Sequence, residues 1–150
     1  MIILAIDPGS EKSALVLYDT GNQEIYDRRI LENELLLGYM GDVVFDMLVI
    51  EMIASYGMPV GKDVFETCVW IGRFIEHSKK SFSYIYRREE KMFLCGSMKA
   101  KDSNIRQAII DKLGKEKTKG CSKDIWAALA VALTFEDTLK GRPDYDNIPF

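Results

Sequence analysis

The chain has 150 residues, enough for one domain with a real core, and its 47% apolar and 29% charged composition is that of a globular protein. No apolar run reaches the length of a membrane span, and Asp7 interrupts an N-terminal apolar run that lacks the basic start of a secretory signal, so neither is expected. The net charge of −3 hides an asymmetry: residues 79–123 carry thirteen Lys/Arg and five Asp/Glu, a net of +8, and the rest carry seven and eighteen, a net of −11. A basic segment on an acidic body can hold a polyanion locally, or can be a solvated surface. Cys68, Cys95 and Cys121 are odd in number and lack CxxC spacing, and read as reduced thiols of a cytoplasmic protein. His77 is the single histidine, which excludes a His-His metal site; it reads as a surface residue near a helix end.

Residues 2–7 read as a buried strand, closed by a turn at Asp7-Pro8-Gly9-Ser10. Ser13–Tyr18 is a second strand, Asp19-Thr20-Gly21-Asn22 a hairpin turn, and Glu24–Ile30 a third strand. Leu31–Phe45 is a helical stretch of mixed quality. Asp46–Glu51 is a short apolar strand, and a helix before it favours parallel pairing inside a covered sheet. A loop over Met52–Lys62 leads to a helix over Asp63–Ser78, with Asp63 as its cap. That helix is apolar over more than half its circumference, more than one sheet needs, and so predicts a second partner, either another helix or a second subunit. Phe82–Arg87 is a fifth strand. Lys101–Lys112 is a helix capped by Asp102 or Ser103, and Ser122–Thr138 is a buried helix. Residues 1–139 thus form one domain, and 140–150 an irregular tail. The order predicts an α/β fold of the ribonuclease H-like kind: a mixed five-stranded sheet flanked by helices. Trp70 and Trp126 fall inside helices and read as core or interface residues.

Three acids stand at the ends of apolar stretches: Asp7 after Met1–Ile6, Glu51 after Met47–Ile50, and Asp124 before Ile125–Leu133. Singly they read as a turn former, a strand-end acid and a helix cap. Together in such a sheet, with the first strand central and the fourth beside it, they converge. Carboxylates at a core edge are costly unless partnered, and a hard divalent cation, Mg²⁺ or Mn²⁺, is the usual partner for an all-oxygen set. Two ions about 3.5–4 Å apart would suit phosphodiester cleavage, with Asp7 placed to bridge them.

Ile3-Leu4-Ala5-Ile6-Asp7-Pro8-Gly9-Ser10 resembles the opening strand of the RuvC-type Holliday-junction resolvases. Val49-Ile50-Glu51 resembles their second acidic strand, and Ser122–Ala132 their last acidic helix with its small-residue run. The resemblance runs over roughly residues 2–138, and is to the compact bacteriophage branch in particular. It implies a homodimeric endonuclease using Mg²⁺ or Mn²⁺ that cuts four-way DNA junctions symmetrically, with Asp7, Glu51 and Asp124 as catalytic and metal-holding residues. If phage-encoded, the protein would act in the host cytoplasm. One departure stands out. Bacterial members carry another acid one helical turn after the first on the last helix, and Ala127 holds that position here. Glu136 and Asp137 lie about 18 Å further along a helix and cannot replace it. A three-carboxylate core is therefore expected, completed by Ser122, Lys123 or water.

Candidate DNA contacts follow from the basic segment. Lys99 and Lys101 precede a helix that carries Arg106; Arg87 and Arg88 follow the fifth strand; Lys117, Lys119 and Lys123 lead to Asp124. In the loop after Glu51, Tyr56 or Met58 could stack on an unpaired base, and Lys62 stands nearby. The rival readings are a non-catalytic branched-DNA binding module on the same fold, an ATP-binding protein of the actin and sugar-kinase type, and an RNA-processing enzyme.

Overall fold

A computed structural model describes residues 1–141. Most of the expected tail lies outside the described residues. The elements in chain order are β1 (Ile2–Asp7), β2 (Lys12–Asp19), β3 (Glu24–Glu32), α1 (Asn33–Asp42), β4 (Met47–Met52), α2 (Lys62–Ser78), β5 (Ser81–Tyr86), α3 (Arg87–Cys95), α4 (Asp102–Leu113), α5 (Lys115–Thr118) and α6 (Lys123–Leu139). The five strands form one mixed sheet in the order β3-β2-β1-β4-β5. β1 pairs antiparallel with β2 and parallel with β4, and β4 pairs parallel with β5. This is the ribonuclease H-like architecture expected from the element order.

The sheet is apolar on both faces because successive side chains alternate. Ile3, Ala5, Val16, Val49 and Ile85 face α4 and α6, where Ile105, Ile109 and the run Ala128–Leu133 cover them. Leu4, Ile6, Leu15, Leu48 and Ile50 face the other way, onto Leu36, Tyr39 and Met40 of α1 and Ile71 and Phe74 of α2. The strands inside the sheet are therefore buried on both sides, which accounts for their continuous rather than alternating hydrophobicity.

Several details differ from the sequence expectation. Asp63 lies in the first turn of α2 and the cap is Gly61. The cap of α4 is Lys101, whose N–H donates to the Asn104 side chain at 2.9 Å, not Asp102 or Ser103. Leu31 and Glu32 extend β3 rather than opening a helix. The main omission is α3. Its run Arg-Arg-Glu-Glu-Lys-Met-Phe-Leu-Cys is too short and too charged to show a helical period. Its stop and start signals are nevertheless present: Glu89 accepts the Tyr86 N–H at 2.9 Å, and Gly96 closes the helix at φ +68°. The apolar surplus of α2 is real: only Thr67, Ile71 and Phe74 are buried, and Phe65 and Val69 stay 62% and 63% exposed. Among the described residues, no helix is long and apolar enough to cross a membrane.

Candidate active site

Asp7 ends β1 and Glu51 lies near the end of β4. Ile6 pairs with Ile50, so the two acids stand side by side on neighbouring strands. Asp7 shares the pleat parity of Ile3 and Ala5, and Glu51 that of Val49, so both project toward α6. The turn after Asp7 is held by a small buried network. The Gly9 N–H donates to Ser13 Oγ at 3.1 Å, Ser13 Oγ donates to Asn33 Oδ1 at 2.7 Å, and Asn33 Nδ2 donates back to the Gly9 carbonyl at 2.9 Å. Gly9 is required there, since a Cβ would stand 2.3 Å from the Lys12 carbonyl oxygen.

Asp124 lies in the first turn of α6, where the helix dipole favours a carboxylate. It borders one cleft of about 220 Å³ together with Asp7, Glu51, Arg87, Arg106 and Lys123. The three acids expected to converge thus do meet in one cleft. Trp126 and Ala127 complete its wall, so Trp126 is a cleft residue as well as a core one.

The electrostatics are those of crowded carboxylates. Burial raises the Asp7 carboxyl to about 6; the Glu51 hydrogen bond opposes the rise, Asp124 adds to it and Arg87 opposes it. Burial raises Glu51 to about 9, and the charges of Glu90 and Asp7 push the same way. Burial and the crowding of Asp7 and Glu90 thus favour the protonated form of Glu51 over its carboxylate.

Glu90, on α3, was not anticipated from the sequence. It is fully buried, its Oε2 accepts from Arg87 Nη1 at 2.8 Å, and its Oε1 has no hydrogen-bond partner among the described residues. Burial raises it to about 7, against the pull of Arg87. The one sequence signal for it is the three-residue spacing from Arg87, which places the two on one helix face. Arg87 also pairs with Asp102 at the start of α4.

The donor set is all carboxylate oxygen, which suits a hard divalent cation. The crowding of Asp7, Glu51 and Asp124 in a cleft that they share with Arg87, Arg106 and Lys123 is chemistry that such an ion would relieve. As the side chains lie, no three His, Cys, Asp or Glu among the described residues are gathered tightly enough to hold one.

The other expected contacts divide in two. Arg87 also lines two adjoining hollows, one with Pro8, Met52, Ala54 and Tyr56, the other with Tyr56, Arg88, Lys91 and Met98. Tyr56 is half exposed at φ +52°, with the Arg88 guanidinium 5.7 Å from its ring centroid. Met58 is exposed in the same loop. Lys62 opens α2 and pairs with Glu66, and Lys99 and Lys101 stand exposed before α4. Lys117 is placed elsewhere: its Nζ donates to Glu24 Oε1 at 2.6 Å and to the Gln23 carbonyl at 2.8 Å, at the β2–β3 turn. That turn adjoins the start of β1, the sheet end opposite Asp7. Lys119 is bound through its carbonyl to Arg28 of β3 and lines none of these hollows.

No protein-family model matches the chain, and no curated protein sequence matches it. Among solved structures, it is similar to RuvC of Thermus thermophilus, with a TM-score of 0.75, 14% identity, and 94% of this chain and 97% of that one covered. It is equally similar to T. thermophilus RuvC in complex with Holliday junction substrate, at a TM-score of 0.74, 12% identity and the same coverage. The chain therefore shares the RuvC fold over nearly its whole described length.

Proposed function

We propose that this protein is a structure-specific DNA endonuclease that cuts four-way junctions by hydrolysing phosphodiester bonds with a divalent metal, with forks and flaps as further candidate substrates. The observation that carries this reading is the meeting of Asp7, Glu51 and Asp124 in one cleft, from three separate segments of a fold shared with a junction-bound resolvase. Asp7, Glu51 and Asp124 are the residues that would hold Mg²⁺ or Mn²⁺. Such an ion, when bound, supplies a water acidic enough to attack at neutral pH and a charge opposite the leaving oxygen. To hold such an ion, Glu51 would release its proton to solvent, and Asp124 would complete the set from the start of α6. Arg106 and Lys123, in the same cleft, offer positive charge to the phosphates on either side. Tyr56 lines the two neighbouring hollows and Met58 is exposed in the same loop, and either would stack on a base unpaired at the branch. The molecule acts as a homodimer through the exposed Phe65 and Val69 of α2, so that two clefts address one symmetric substrate.

The test is cleavage of an end-labelled four-way junction, with linear duplex as control, in Mg²⁺ and then in Mn²⁺. Paired symmetric nicks in the junction are expected. Asp7→Asn abolishes cutting and keeps junction binding; a clean preparation of that variant that still cuts overturns the site assignment. One observation favours a second reading, a non-catalytic junction-binding module: Ala127 stands in the cleft wall where the resemblance calls for an acid. Tight junction binding with no cutting in either metal selects it.

A further inference from the structure

Arg87 is the first residue of α3, directly after β5, and β5 sets Ile85 beside Glu51. Its backbone therefore delivers it to the acid cleft. What it does there is governed by two anchors from different elements. Nη1 donates to Glu90 Oε2 at 2.8 Å and Nη2 pairs with Asp102. It forms no ion pair with Asp7 or Glu51 among the described residues, although it lines the same cleft and lowers the proton affinity of both. A long, unanchored arginine beside two carboxylates would fold onto them and block any cation. Glu90 and Asp102 hold it off.

Glu90 is an expensive anchor. A carboxylate with no solvent exposure and one unpartnered oxygen loses more in desolvation than a single ion pair returns. An apolar side chain would serve stability better, so the use of Glu90 lies in where it puts Arg87. A guanidinium has five N–H groups in a rigid fork; among the described residues two are engaged and three remain. A planar fork with spare donors, at the junction of the acid cleft and the two Tyr56-lined hollows, suits one ligand above others: a phosphate oxygen of a strand running through them.

We propose that Arg87 is a catalytic residue that grips a non-bridging oxygen of the scissile phosphate, and that Glu90 is the positioning residue that, with Asp102, fixes it for that contact. This rests on the nuclease reading above. The benefit is to the transition state: a pre-set cation meets the charge that develops on phosphorus oxygens without reorganising first.

The experiment compares wild type, Arg87→Ala, Arg87→Lys, Glu90→Gln and the Arg87→Ala/Glu90→Gln double variant. Single-turnover cutting of a four-way junction is measured in Mg²⁺, binding in Ca²⁺, and folding by circular dichroism. Arg87→Ala is expected to cut about 100-fold more slowly, with junction affinity nearly unchanged. Arg87→Lys, which keeps the charge and loses the fork, is expected to stay well below wild type. Guanidinium ion added far below denaturing levels is expected to restore part of the Arg87→Ala rate, and much less in the double variant, because the anchoring charge is gone. A merely structural arginine gives no such rescue. Wild-type cutting by Arg87→Ala or Arg87→Lys, or equal rescue with and without Glu90, overturns the proposal and leaves the nuclease reading standing. Should Arg87→Ala not fold, Glu90→Gln decides: a wild-type rate overturns the positioning role, and a reduced rate with unchanged binding supports it. A wild-type protein that binds junctions and never cuts overturns both readings together.

Discussion

Burial makes Asp7 and Glu51 hold a proton more tightly in the fold than in water. Their ordinary values are 3.8 and 4.5, and in the fold they rise to about 6 and about 9. A raised carboxyl binds its proton more tightly folded than unfolded. Its contribution to stability is therefore whole below the ordinary value and is lost as the pH climbs through the raised one. The expected result is a melting temperature that falls between about pH 5 and about pH 9 in chelator. Mg²⁺ or Mn²⁺ should restore it most at the alkaline end, and an Asp7→Asn/Glu51→Gln protein should show a flatter profile. Differential scanning calorimetry across that range checks all three; a wild-type profile rising with pH contradicts the buried-pair account. Asp7, Glu51 and Asp124 were legible in the sequence because each borders an apolar run, and a charge at such a border is conspicuous. Glu90 was not, because its neighbours Arg88, Glu89 and Lys91 are all charged, and only tertiary packing of α3 on α4 and α6 takes it out of water.

At the scale of the element, the turn between β1 and β2 and the short helix α3 do the positioning. Gly9 closes the turn against the Lys12 carbonyl, and Ser13 and Asn33 hold it from inside. Gly9→Ala is expected to force the turn open, at a cost of about 1–3 kcal/mol in urea unfolding, and to lower metal affinity by displacing Asp7. Unchanged calcium binding by titration calorimetry would show that the turn does not set the carboxylate. For α3, Glu89→Ala removes the acceptor of the Tyr86 N–H and should cost about 1 kcal/mol. The strands were legible because their apolar runs are short and bounded by Pro, Gly and Asp turns. α3 was not: only its Glu89 and Gly96 terminal signals mark it. α5, a single turn inside a lysine-rich stretch, is invisible to periodicity for the same reason.

On the scale of the whole molecule, the sheet separates two surfaces. α4 and α6 cover the face from which Asp7 and Glu51 project, and α1 and α2 cover the other. The apolar surplus read from the α2 sequence emerges as Phe65 and Val69 on the outer side of that second layer. If these residues join two copies, Phe65→Asp should convert a dimer to a monomer in sedimentation velocity while the fold and single-site metal affinity persist. A monomeric wild type at micromolar concentration would remove the dimer from the account. The acid cleft and this apolar stripe lie on different layers, so the variant separates assembly from chemistry.

The order in which the parts of the cleft emerge from a ribosome has a bearing on when it can exist. Asp7 is made early, Glu51 midway and Asp124 only with α6, the last of the described elements. Until α6 docks, Ile3, Ala5, Val16 and Val49 have no cover from Ala128–Leu133, and the cleft has no third carboxylate. The helix that closes the core is thus also the helix that completes the site. A chain made only as far as α5 holds neither, and the presence of all three carboxylates in the cleft certifies that the hydrophobic face has already been sealed.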